Sequence, residues 1–245
     1  SENFVDFASK WTNETGFDSA YKMSIEYGRD LENKYMTVSA PKIYDEFIWG
    51  EPYIRLELPG TYGKGIDLTG EKTIKVKSKI RIKELGGKFE LKYNLPEKWT
   101  GLKGTAMTDD NGYYYCGKTE WSDGQAEQNA AALWYVDASG KLFVPNGSYA
   151  ESWGYMRGKY SDTGIVLGLN KWYTVETYFN NNKNVTIAFY DENGNRSVFS
   201  NKDLSFIKGT TLSSLEFYES GAKGSTVDIT DIEITGGEKL SSNVG

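Results

Sequence analysis

The chain of 245 residues contains no histidine. That removes Ser-His-Asp and Cys-His catalysis, histidine-ligated zinc and every mechanism built on an imidazole base. One cysteine, Cys116, excludes an internal disulfide and cysteine-cluster zinc or iron–sulfur ligation within the chain. It follows Tyr113-Tyr114-Tyr115 and reads as a strand residue rather than a nucleophile, since no imidazole exists to activate it. Arginine is scarce: Arg29, Arg55, Arg81, Arg157 and Arg196 are the full set. A net charge of −6, with its basic residues dispersed, argues against nucleic acid as a partner. No apolar run approaches the roughly 18 residues of a membrane span, so no membrane partner is expected. The N-terminus is not a signal peptide, and Ser1 reads as a mature or excised start. The chemistry left open belongs to carboxylates, tyrosine, lysine and arginine.

Aromatic rings are what the chain does have, at 15 % of its residues. They concentrate between Trp99 and Tyr160, which holds Trp99, Trp121, Trp134 and Trp153 and the triple tyrosine. Turn-formers lie among them: Asp109-Asp110-Asn111-Gly112, Ser122-Asp123-Gly124 and Pro145-Asn146-Gly147-Ser148. Rings beside Asp, Asn and Gly suit a sugar-binding surface, where flat apolar faces meet C–H groups and polar groups meet hydroxyls. The competing reading is ordinary sandwich core, since buried rings dominate core burial. Most are expected in the core. Trp134, Tyr135 and Phe143 fall inside strand-like runs and are assigned to a core hairpin, and Trp172 to an alternating apolar run.

Alternation organises the rest. Thr73–Lys83 places Ile74, Val76, Ile80 and Ile82 on one side and its lysines and Arg81 on the other, a long strand with one wet face. Leu85-Gly86-Gly87 follows, then Phe89–Tyr93 alternates likewise, and the two are expected to form a hairpin. Ala131–Val136 and Lys141–Val144 flank the turn Asp137–Gly140, and Asp191–Gly194 turns Val185–Tyr190 into Ser197–Phe199. About a dozen short strands without repeats predict an all-β chain, an antiparallel β-sandwich of jelly-roll or concanavalin-like type. Residues 1–236 form its single domain, and residues 237–245 have the composition of a flexible tail or linker stub.

Three stretches carry a resemblance: Glu2–Phe7, Lys171–Glu176 running through Asn180–Asn182 to Val185–Tyr190, and Phe217–Gly221 followed by Val227–Ile234. Together they resemble the jelly-roll, concanavalin-like carbohydrate-binding modules of secreted bacterial enzymes that degrade plant or microbial polysaccharides. The resemblance implies a non-catalytic module binding such a polysaccharide, secreted, monomeric and part of a larger modular protein of cell-wall degradation. It also implies a structural Ca2+ shared by the first and last strands, with Asp231 and Glu2 or Asp6 as ligands. Thr230 stands where relatives often carry a second Asp, and the competing role for Asp231 is to mark a bulge or cap a turn.

For the sugar contacts, Trp121, Trp153 and Tyr155 are the stacking candidates, with Tyr114, Asp123 and Arg157 as flanking contacts. A glycosidase needs two carboxylates about 5–10 Å apart. No short motif supplies them: Glu120–Asp123 and Tyr44-Asp45-Glu46 lack strand alternation. The alternative is a polysaccharide lyase of an acidic glycan with tyrosine as base, for which Tyr155, Arg157 and Lys118 near Tyr113–Tyr115 are the available cluster. A second alternative is an adhesin-like structural module with its rings buried. The calcium expectation is checked by calorimetric melting: chelator lowers the melting temperature if the site exists, and an unchanged temperature removes it.

Overall fold

The computed structural model describes residues 12–14, 23–31, 33–42, 53–57, 66–67, 73–94, 107–108, 114–116, 130–150, 156–180, 184–203, 211–212, 214–220 and 223–238. They form strands β1 (Thr12–Glu14), β2 (Ser24–Arg29), β3 (Lys34–Ser39), β4 (Tyr53–Glu57), β5 (Ile66–Asp67) and β6 (Thr73–Glu84). Next come β7 (Lys88–Asn94), β8 (Met107–Thr108), β9 (Tyr114–Cys116), β10 (Ala130–Val136), β11 (Lys141–Ala150) and β12 (Met156–Val166). The last are β13 (Trp172–Asn180), β14 (Asn184–Tyr190), β15 (Arg196–Asp203), β16 (Thr211–Leu212), β17 (Ser214–Ser220) and β18 (Thr226–Glu238). No helix occurs among the described residues.

Two seven-stranded sheets, both antiparallel, make the sandwich. The first runs β1-β4-β17-β7-β10-β11-β12 and the second β15-β14-β13-β6-β18-β3-β2. The expected strand pair β6 and β7 is not a hairpin, because each belongs to a different sheet. Both strands turn their apolar sets inward, β6 through Ile74, Ile80 and Ile82, β7 through Phe89 and Leu91. The chain therefore crosses from one layer to the other at Leu85-Gly86-Gly87. The Gly86 and Gly87 N–H groups donate to Ser225 Oγ at 3.1 and 3.3 Å. A Cβ on Gly86 would lie 2.1 Å from the Lys223 carbonyl oxygen, so only glycine fits.

The other turns form as their residues require. Asp137 Oδ1 accepts the Ser139 and Lys141 N–H groups at 2.9 and 3.0 Å, and Gly140 takes φ +88. Asp191 does the same for Asn193 and Asn195, with Gly194 at φ +81. The β13–β14 and β14–β15 pairings are both present.

Between the layers, Trp134, Phe89 and Phe217 of the first sheet meet Ile80, Ile187 and Ile229 of the second, all essentially without solvent. Strict alternation would expose either Leu133 or Trp134. A bulge between Ala132 and Trp134 breaks the register there, and both side chains are buried. The indole N–H of Trp134 has no acceptor among the described residues. Trp134→Ala is expected to cost about 3–5 kcal/mol in chemical denaturation. Trp134→Phe, which gives up no hydrogen bond, is expected to cost well under half of that.

Candidate functional site

Residues in register across an antiparallel pair share a face, so the pairings define what each sheet presents outward. On the first sheet one cross-strand row reads Glu14, Tyr53, Tyr218, Glu90, Tyr135, Phe143 and Asp162, one residue from each of the seven strands. The next row reads Thr12, Arg55, Glu216, Lys92 and Ala132. This face points away from Trp134, Phe89 and Phe217, yet it is far from uniformly wet. Glu90 and Glu216 are each 5 % exposed and Tyr218 7 %. Two carboxylates held this dry on an outward face are the feature that singles it out.

The local geometry is a ring platform beside a charge pair. Tyr135 stacks on Phe143 with centroids 4.7 Å apart and planes within 12°, and Tyr160 tilts against Tyr135 at 5.1 Å. The Tyr160 hydroxyl donates to the Ala132 carbonyl at 2.6 Å, which fixes its ring. Lys88 Nζ lies 2.8 Å from Glu90 Oε1 and 4.7 Å from the Tyr135 ring centre. Glu216 stands opposite Lys92, diagonal to Glu90 on the neighbouring strand. That diagonal separates side-chain origins by roughly 7–8 Å. Rings of this kind can hold the C–H side of a pyranose, the carboxylates can accept from hydroxyls, and Lys88 can donate to ring or hydroxyl oxygens.

The structure places the sequence-derived candidates unevenly. Trp121, Trp153, Tyr155 and Asp123 lie outside the described residues, as do Glu2, Asp6 and Lys118. The backbone of Tyr114 belongs to β9, which lies against β10 of the first sheet. Arg157 sits on β12, the edge strand of that sheet, in register with Tyr149. Tyr135 and Phe143, assigned to the core from sequence, are instead on the outer face and half-buried. Trp172 is also corrected: it stands outside the second sheet with the Arg81 guanidinium 4.4 Å from its ring, and Tyr35 edge-on at 6.0 Å. Arg81 in turn bonds Asp228 at 2.8 Å, so that cluster is satisfied within itself.

Asp231 adopts φ +51 at a bulge in the β18–β6 register, between Thr230 and Glu233. Its Oδ2 lies 2.8 Å from Lys77 Nζ, and the paired Asp231 raises the Lys77 pKa against the opposing pull of burial. Calcium needs several oxygens together. Among the described residues no group of three carboxylates meets, and the one described ligand candidate already carries an ammonium. The described residues therefore do not make the calcium set by themselves.

Glu90, Glu216, Tyr218 and Lys88 were not singled out from sequence. Their alternation was visible in Phe89-Glu90-Leu91-Lys92 and Leu215-Glu216-Phe217-Tyr218. Which strands lie side by side was not, because β7 and β17 are more than a hundred residues apart.

No family model matches the chain, and no curated protein matches it. Solved structures do. The endo-β-1,4-glucuronan lyase of the fungus Trichoderma reesei superposes with TM-score 0.53 at 8 % identity, over 86 % of each chain. A cellulose-induced protein covers 95 % of this chain and 94 % of its own at 11 % identity, TM-score 0.49. A Lotus tetragonolobus seed lectin covers 94 % and 100 % at 10 % identity, TM-score 0.44. Identities this low speak to fold alone: the chain is an antiparallel sandwich of jelly-roll, lectin-like type.

Burial raises the Tyr135 pKa above the ordinary tyrosine value, Lys88 opposes this, and Glu90, Asp137 and Asp162 add to it. A raised folded-state pKa means that the contribution to stability is whole below the unfolded value of about 10 and is lost as pH rises through the folded one. Spectrophotometric titration of wild type against Tyr135→Phe is expected to show the missing phenol ionising above that value, and the stability difference between them shrinking there.

Proposed function

We propose that this chain is a carbohydrate-binding module that recognises an extracellular plant or microbial polysaccharide on the outer face of its first sheet. The observation that carries the reading is the cross-strand row Tyr53–Tyr218–Glu90–Tyr135–Phe143, in which one carboxylate is flanked by two rings on either side across neighbouring strands. Recognition of this kind needs no imidazole, no metal and no tuned acid, which agrees with a chain that lacks histidine. Trp121, Trp153 and Tyr155, with Tyr114, Asp123 and Arg157, are further sugar contacts in the proposal. The carbohydrate-directed name of the glucuronan lyase supports the reading by analogy of fold.

The experiment is retardation in glycan-loaded gels, read alongside the ultraviolet absorbance of unsaturated product. Wild type is expected to be retarded by a polysaccharide without product forming. Tyr135→Ala and Trp121→Ala are each expected to weaken retardation by about tenfold, roughly 1–2 kcal/mol for a ring anchor. Trp172→Ala, on the opposite sheet, is expected to leave it unchanged. Unsaturated product would replace the binding reading with a lyase, and absence of retardation on every glycan would favour the adhesin-like alternative.

A further inference from the structure

The rings of this face differ in what covers them, and the difference says where on the face a sugar sits. The inference rests on the carbohydrate-binding reading. We propose that a pyranose packs on the Phe143 ring at the β11–β12 edge and donates hydroxyl hydrogen bonds to Asp162. Tyr135 then backs Phe143 and does not touch the ligand. Two near-parallel rings with centroids 4.7 Å apart are offset-stacked, so each covers one face of the other. The second face of Tyr135 is covered as well. β7 and β11 flank β10 on opposite sides, so Lys88 comes over the ring from the side away from Phe143, with Nζ 4.7 Å from its centre. Tyr160 tilts against the same ring at 5.1 Å, held by its hydroxyl on the Ala132 carbonyl. A flat sugar face finds no open ring there.

Phe143 is different. Among the described residues it meets one ring, Tyr135, and no cation, and it is only half-buried. Tyr135 lies on its β10 side, so its other face turns toward β12, the last strand of the sheet. Asp162 stands directly opposite Phe143 on β12. Side chains so paired start roughly 4.5–5.5 Å apart. Asp162 is exposed and has no ion pair among the described residues. Its Oδ1 accepts the Gly164 N–H at 2.8 Å, where the β11–β12 register shifts and Gly164 takes φ +80. Irregularities of this kind at a sheet edge re-aim side chains. Here the bond steadies the carboxylate and leaves Oδ2 to accept from a ligand. A pyranose laid with its C–H side on Phe143 carries hydroxyls at its rim, and an ionised carboxylate accepts from them.

Gel retardation of the full chain tests this in β-glucan, xylan, mannan, polygalacturonate, alginate and glucuronan, with melting temperature as the check on folding. Phe143→Leu keeps apolar bulk but loses the flat face, so retardation is expected to weaken about tenfold. Tyr135→Leu still backs Phe143 and is expected to weaken it by less than about threefold, unlike Tyr135→Ala, which leaves that ring unsupported. Asp162→Ala is expected to weaken it by about tenfold. In wild type, an oligosaccharide of the retarding glycan is expected to give nuclear Overhauser contacts to the Phe143 ring and none to the Tyr135 ring.

The reverse order, with Tyr135→Leu losing retardation and Phe143→Leu keeping it, overturns the proposal and leaves the binding reading standing. So does a folded Asp162→Ala protein retarded as well as wild type. Where a variant does not fold, the wild-type contacts decide, and contacts to Tyr135 without Phe143 overturn the proposal. If no glycan retards wild type, the binding reading itself falls and takes this seat with it.

Discussion

The structure depends on the register of its antiparallel strands. Because side chains alternate with period two, a slip of one residue would send Phe89, Leu91 and Phe217 outward and bring Glu90, Glu216 and Tyr218 into the core. The same pairing that buries the rings of the first sheet against the isoleucines of the second also aligns Tyr218, Glu90, Tyr135 and Phe143 across four adjacent strands. Core and candidate site are two sides of one pattern. Where strict alternation cannot serve both, the chain bends the rule locally: one bulge admits Leu133 and Trp134 together to the interior, and another turns Asp231 out toward Lys77.

The two outer faces handle charge differently. On the second sheet Lys75, Lys77 and Arg81 project along β6 and meet Glu233, Asp231 and Asp228 on β18. Tyr35 and Trp172 close over Arg81, so that face spends its rings on its own cation. On the first sheet Tyr135, Phe143 and Tyr160 pack on one another, and Lys88 and Glu90 pair beside them. Two of its carboxylates, Glu90 and Glu216, are nearly dry.

Much of this was legible in the sequence, because alternation and turn chemistry are local. The strands ending at Asp137 and Asp191, the wet face of β6 and the burial of Trp134 all follow from neighbouring residues. Three features were not legible, each for a physical reason. The β6–β7 connection looks like a hairpin in sequence, but which sheet a strand joins depends on distant partners. Trp172 opens an apolar-looking run, and only its pairing with Arg81 shows that it faces outward. Glu90 and Glu216 become neighbours through the pairing of β7 with β17, a contact that no short motif records. The aromatics Trp121, Trp153 and Tyr155 were chosen by composition, which marks ring-rich stretches of sequence but not the surface they serve.

The central claim is that sugar meets this protein on the outer face of the first sheet. Chemical-shift mapping with an oligosaccharide derived from a retarding glycan tests it directly. The account predicts that perturbed resonances cluster on Tyr53, Tyr218, Glu90, Tyr135 and Phe143, with Lys77, Arg81 and Trp172 unmoved. Perturbations confined to the second sheet, around Trp172 and Tyr35, would contradict it.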